Sequence, residues 1–152
     1  MKHLTRRDFI GTGAILTVGA ANLFAAGPAF AGGKWSPPGD MYQTLKDRKV
    51  ISELEMKHVP LIQVPEKIKK GELFKLEVHI GRVLHPMMGP HHIEWIHVLK
   101  NGVPLVTTTL SYEGLRPVIG TELAIAEPSE IEVRIHCNVH GYWKETKTLE
   151  LS

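Results

Sequence analysis

Cysteine is nearly absent from this chain: Cys137 is the only one in 152 residues. That excludes an internal disulfide framework and any cluster held by several thiolates of one chain. A lone thiol is most simply a small buried hydrophobe, so Cys137 needs a stronger argument to count as functional. An excess of charge is also missing. The chain is formally +2, but taking Lys2, Arg6 and Arg7 from 18 basic residues and Asp8 from 16 acidic ones leaves 15 of each sign beyond the N-terminal segment. A neutral balance provides no footprint for nucleic acid. Internal repeats, low-complexity tracts beyond the first thirty residues and a long amphipathic helix are lacking too. The length leaves room for one domain with a real core plus a targeting segment.

The targeting segment is residues 1–31. Lys2, Arg6 and Arg7 precede a stretch of mostly Ala, Gly, Ile, Leu and Val from Phe9 to Phe30, and Ala29 and Ala31 flank Phe30 at an exit of small residues. That is the layout of an export signal. Thr5-Arg6-Arg7-Asp8-Phe9-Ile10 matches the twin-arginine pattern, and Gly11, Gly13, Thr17, Gly19 and Asn22 keep the apolar run weakly hydrophobic. The run is long enough to span a bilayer, but its glycines and small-residue exit favour cleavage over stable membrane insertion. The expected location is therefore the periplasm. The twin-arginine route resembles one used by proteins that load a cofactor before export, which hints at a cofactor without naming it.

Residues 32–55 read as a linker and N-terminal extension, with Pro37 and Pro38 early and a polar stretch from Met41 to Glu55 expected to hold a short helix. From residue 56 onward strand signals dominate. Glu72 to Ile80 alternates, with Leu76, Val78 and Ile80 on one face, and Glu130 to His136 repeats the pattern through Ile131, Val133 and Ile135. Ile93 to Leu99 and Val103 to Leu110 flank Asn101-Gly102, a strong hairpin signal because both residues tolerate positive φ. His58 to Val64, Thr121 to Ala126 and Lys144 to Leu151 complete about seven short strands. The expected fold is all-β, an immunoglobulin-like antiparallel β-sandwich.

Nine histidines are many for this length, and several fall in Gly- and Pro-rich breaks between strands. His85-Pro86-Met87-Met88-Gly89-Pro90-His91-His92 sets histidines at both ends of a loop stiffened by two prolines. Cys137-Asn138-Val139-His140-Gly141 follows directly from a strand, and a Cys-x-x-His turn brings thiolate and imidazole to one ion with little chain entropy lost. His58, expected at the start of a strand in Lys57-His58-Val59-Pro60, would be a further imidazole. Each motif alone has a plain explanation. A histidine beside an apolar strand is usually a hydrogen-bonded structural residue, and Cys-x-x-His occurs by chance in many sequences. Three such motifs, each at a strand end or loop, point to a metal.

From about Glu55 to the C-terminus the sequence resembles the superoxide reductases, also called neelaredoxins or the catalytic part of desulfoferrodoxin. The likeness lies in Lys57-His58-Val59-Pro60, in His85-Pro86 with His91-His92-Ile93, and in Cys137-Asn138-Val139-His140-Gly141-Tyr142-Trp143. It implies a mononuclear iron with His58, His85, His91 and His140 around it and Cys137 bound axially, and His92 as a non-ligating neighbour. It also implies one-electron reduction of superoxide to hydrogen peroxide, with Lys57 drawing the anion in and helping to deliver a proton. His79, His97 and His136 are expected on strands, exposed and outside the centre. The usual donor of the family is the cytoplasmic rubredoxin, so an exported member is expected to use another electron donor. One-iron relatives are often homotetramers, which makes a homo-oligomer the expectation here. Many members carry a glutamate before the lysine that can bind ferric iron; this chain has Met56, with Glu55 one residue too early. In an extended segment that offset would turn Glu55 away. Other members carry an N-terminal iron domain with four cysteines, which a chain with Cys137 alone lacks.

Two other functions compete. A cupredoxin-type electron carrier is also an exported sandwich with Cys and His close together, but such a site uses two histidines and usually an axial methionine, and no methionine follows His140. A metal-free immunoglobulin-like adaptor would leave the Cys137 and His140 turn without a purpose.

Overall fold

A computed structural model describes residues 41–152; the expected leader and the first part of the linker lie outside these. Among the described residues, seven antiparallel strands form two sheets. β1 (Pro60–Gln63), β2 (Phe74–Ile80) and β5 (Val118–Leu123) make one sheet in the order β1-β2-β5. β3 (Ile93–Lys100), β4 (Val103–Thr109), β6 (Ser129–Cys137) and β7 (Gly141–Leu149) make the other in the order β4-β3-β6-β7. The expected β-sandwich is present. Among the described residues, no helix is long and apolar enough to cross a membrane.

One core fills the space between the sheets, and the strand alternation sets its contents. Leu76, Val78 and Ile80 point inward from β2, and Ile131, Val133 and Ile135 from β6. Each such side chain contributes roughly 1.5–3 kcal/mol by leaving water. Cys137 takes the next inward position of β6 and is fully buried. The period that builds the core therefore also delivers the thiol to its end. On β3 a register shift between Ile93 and Trp95 lets Ile93 and Ile96 both face inward. Asn101 and Gly102 have φ of 48° and 78°, as the tight turn between β3 and β4 requires.

Some strand bounds shift, β7 beginning at Gly141 rather than Lys144, and two elements differ more. β5 ends at Leu123, paired with Phe74; beyond it Ile125 turns into the core and its carbonyl accepts from the Gly71 amide, so the alternation from Thr121 to Ala126 is only half strand. The other difference matters more. His58 does not begin a strand; it is the last residue of a helix, α1 (Glu53–His58). Ser52 and Glu55 form a capping box: the Glu55 amide donates to Ser52 Oγ at 3.2 Å, and the Ser52 amide donates to Glu55 Oε2 at 2.8 Å. Upstream, Gln43 bridges to Trp143 beside β7, so residues near 43 pack on the sandwich.

Candidate metal centre

Three connections at one end of the sandwich supply the side chains. His58 comes from the C-terminal end of α1, His85 and His91 from the β2–β3 loop, and Cys137 and His140 from the turn between β6 and β7. The helix is fastened to the loop by backbone: the amides of Arg82 and Val83 both donate to the Met56 carbonyl, at 2.7 and 3.2 Å. Gly81 makes the approach possible. Its φ is +81°, and a Cβ there would lie 2.5 Å from the Lys57 carbonyl oxygen.

The metal-binding atoms of His58, His85, His91 and Cys137 all lie within 4.8 Å of one another. His140 joins them: its Nδ1 is 3.1 Å from His58 Nε2 and 3.6 Å from Cys137 Sγ. The four rings form a near-square. Neighbouring centroids are separated by 4.6 Å (His58 and His85), 4.8 Å (His85 and His91), 4.7 Å (His91 and His140) and 4.7 Å (His140 and His58), while the diagonal from His58 to His91 is 6.1 Å. Neighbouring planes are steeply inclined, at 67° to 84°, and the two rings across that diagonal are near parallel at 23°.

The hydrogen bonds around the square settle which nitrogens face its centre. His58 Nδ1–H donates to the Leu54 carbonyl at 2.7 Å, and His85 Nδ1–H to the Pro86 carbonyl at 2.6 Å. Neutral imidazole has one N–H, so both Nε2 atoms carry lone pairs, and these face each other at 3.0 Å. His91 Nε2 is buried without a partner. The His58 and His85 lone pairs face each other with no proton between them, a contact that repels unless a cation lies between these nitrogens. Burial, reinforced by the neighbouring histidines, lowers the pKa of His58 and of His85 to about 4. Burial followed by His140 and Lys57 lowers that of His91. The His58, His85 and His91 rings are therefore neutral near pH 7, the form that binds metals.

This donor set fits a single transition metal. Imidazole and thiolate together suit iron, copper or zinc, but four histidines and a cysteine exceed the four ligands of structural zinc and the two histidines of a cupredoxin. The carbonyls of Leu54 and Pro86 are the outer partners that fix ring tautomer and orientation in metal sites. Trp143 stacks on His58 with centroids 5.1 Å apart, and its Nε1–H donates to the His140 carbonyl at 3.3 Å. Gln43 Nε2 donates to the same carbonyl at 2.8 Å. Gln43 becomes a neighbour of the site only through the fold, whereas Trp143 lies three residues beyond His140 in the segment that carries the family likeness.

All five expected ligands thus converge, and the other histidines do not. His92 Nδ1 lies 3.2 Å from the Met88 carbonyl, and its ring leans on Tyr112. His79 pairs with Glu77, His97 stacks on Trp95 and His136 bonds to Glu94; all three are half-buried on their strands rather than exposed. Lys57 precedes His58 in α1, forms an ion pair with Glu53 at 2.5 Å, and its charge helps lower the pKa of both His58 and His91. Glu55 is turned away from the centre, but by its cap rather than by strand alternation. Its carboxylate accepts from the Ser52 hydroxyl and from the Ser52 and Lys46 amides, which holds its pKa at about 2.

A profile of the desulfoferrodoxin family matches residues 50–146, a span that contains every residue of the centre. The chain belongs to the desulfoferrodoxin family. Among desulfoferrodoxin relatives, the desulfoferrodoxin of Desulfarculus baarsii is 32% identical over 70% of this chain and 79% of its own length. The superoxide reductase of Thermococcus kodakarensis is 29% identical, over 62% of this chain and 88% of its own. Among solved structures, a variant of the superoxide reductase (neelaredoxin) from Ignicoccus hospitalis superposes with a TM-score of 0.63 at 25% identity, covering 78% of this chain and all of that one.

Proposed function

We propose that this desulfoferrodoxin-family chain is a superoxide reductase whose iron is held by His58, His85, His91, His140 and Cys137. The observation that carries the reading is the convergence of four imidazole nitrogens and one thiol sulfur on one point. The chemistry such an iron supplies is transfer of one electron to superoxide, which with two protons leaves as hydrogen peroxide. The chain's residues prepare for it. Cys137 approaches from the core and is fully buried, whereas His91 and His140 reach the surface, so an anion meets the histidine square on the side opposite the sulfur. Lys57 adds positive charge at that approach and an N–H able to deliver a proton. Cys137 would hold the iron through its sulfur, and as a metal-bound thiolate would supply the negative charge that favours giving up an electron.

Residues 1–31 are proposed as a cleaved twin-arginine signal, residues 32–55 as the linker and N-terminal extension, and the periplasm as the place of action. The electron donor there is a carrier other than cytoplasmic rubredoxin, and the assembly is a homo-oligomer.

Metal analysis with visible spectroscopy and a superoxide assay tests the reading. One iron per chain, a thiolate-to-ferric band that Cys137→Ser abolishes, and peroxide formed without release of dioxygen are expected. Copper, or no bound metal, would overturn it.

A further inference from the structure

Most of the centre comes from two stretches far apart in sequence: the β2–β3 loop with His85 and His91, and the turn with Cys137 and His140. One side chain spans them. Asn138 Oδ1 accepts from the His92 amide at 2.9 Å, and Asn138 Nδ2 donates to the Pro90 carbonyl at 3.2 Å. The Asn138 backbone amide donates in turn to the His92 carbonyl at 3.2 Å. These bonds bracket His91 from both sides along the chain.

His91 is the ring that needs such support. His58 and His85 are each oriented by an Nδ1–H bonded to a carbonyl, whereas among the described residues no hydrogen bond reaches the His91 ring. Its own loop supplies local bonds: the Met88 and His91 amides donate to each other's carbonyls at 3.0 and 2.9 Å, His92 Nδ1 lies 3.2 Å from the Met88 carbonyl, and the Ile93 amide donates to Met87 Sδ at 3.5 Å. These bonds shape the loop, and the β3–β6 ladder fixes its end by pairing Ile93 with Cys137, but neither ties the stretch just before His91 to the turn. A carboxamide suits the remaining task because it donates from one end and accepts at the other, matching one free carbonyl and one free amide on either side of His91.

We propose that Asn138 is a positioning residue for His91, clasping the loop that carries it to the turn that carries Cys137 and His140. The proposal rests on the reading of His91 as a metal ligand. Outer residues that orient metal ligands typically change metal affinity by about 10- to 100-fold.

The test is cobalt(II) binding to the metal-stripped full chain in competition with a chelator, for the wild type, Asn138→Ala, Asn138→Asp, His91→Ala and the double variant Asn138→Ala with His91→Ala. Asn138→Ala is expected to weaken cobalt binding by about 10- to 100-fold, yet to cause no further loss once His91 is gone, because the two act as a unit. Asn138→Asp keeps the acceptor for the His92 amide and loses the donor, so it is expected between wild type and Asn138→Ala. The melting temperature of the metal-free Asn138→Ala chain is expected to match that of the wild type. Equal losses with and without His91, no loss in either, or a collapsed metal-free fold in both Asn138 variants would overturn the clasp alone. A wild type that takes up no cobalt would overturn the metal centre, and the clasp with it.

Discussion

The indole of Trp143 lies almost flat against the imidazole of His58, with centroids 5.1 Å apart and planes 21° from parallel. Trp143 is also among the largest fully buried side chains, at 2% exposure. The same ring therefore completes the core and backs a histidine of the proposed metal centre.

Trp143→Ala is expected to destabilise the fold by about 3–5 kcal/mol and to lower iron content as His58 loses its backing. Trp143→Phe keeps an aromatic face and loses only the bond to the His140 carbonyl, which Gln43 still satisfies. Its cost is expected near 1 kcal/mol. Urea unfolding of the metal-free chains, with iron analysis of the purified ones, separates the two.

Gly81→Ala combines a left-handed backbone with a Cβ 2.5 Å from the Lys57 carbonyl. The backbone alone costs about 1–2 kcal/mol, and relief of the close approach must push α1 away from the loop that carries His85. Iron content is expected to fall more than stability does. Full iron occupancy in Gly81→Ala would contradict the described packing of α1 on that loop.

Much of this was legible in the sequence, but unevenly. The alternation Ile131, Val133, Ile135 runs on to Cys137, so the buried position of the thiol followed from the strand period itself. Asn101-Gly102 announced its hairpin through backbone conformation that few residue pairs tolerate. A short helix was expected between Met41 and Glu55, but its run on to His58 was hidden because Val59 and Pro60 read as strand and six residues are too few for helical periodicity; the signal that would have placed it is the capping box Ser52-Glu53-Leu54-Glu55. Contacts such as Asn138 with Pro90 join residues 48 apart and leave no local pattern, so they were invisible until the fold brought the loops together.

Lys57→Ala is expected to slow the reaction with superoxide by about tenfold or more and to flatten its salt dependence, since an oriented cation raises the encounter rate of an anion and salt screens that attraction. Stopped-flow rates at several ionic strengths give both quantities. Lys57→Arg, which keeps the charge, is expected to retain most of the salt dependence.

Acid should destabilise the metal-free chain. His58 and His85 titrate near pH 4 in the folded state and at about 6.5 when unfolded. Between those values the unfolded chain binds more protons, so stability rises with pH across that window. The contribution is fully present above about pH 6.5 and is lost as pH falls through about 4. The urea midpoint of the metal-free chain, followed from pH 7 downward, is expected to drop over this range. In His58→Gln the drop is expected to shrink.

Because α1, the β2–β3 loop and the β6–β7 turn meet only at the histidine square, an ion bound there ties together residues from 58 to 140 that the backbone alone leaves as separate excursions from the sandwich. By mass action, a metal at a thousand times its dissociation constant adds about 4 kcal/mol to the folded state, comparable with much of what a small domain has in reserve. With the proposed metal in place, how long this protein survives depends on the metal supply around it as well as on its own sequence.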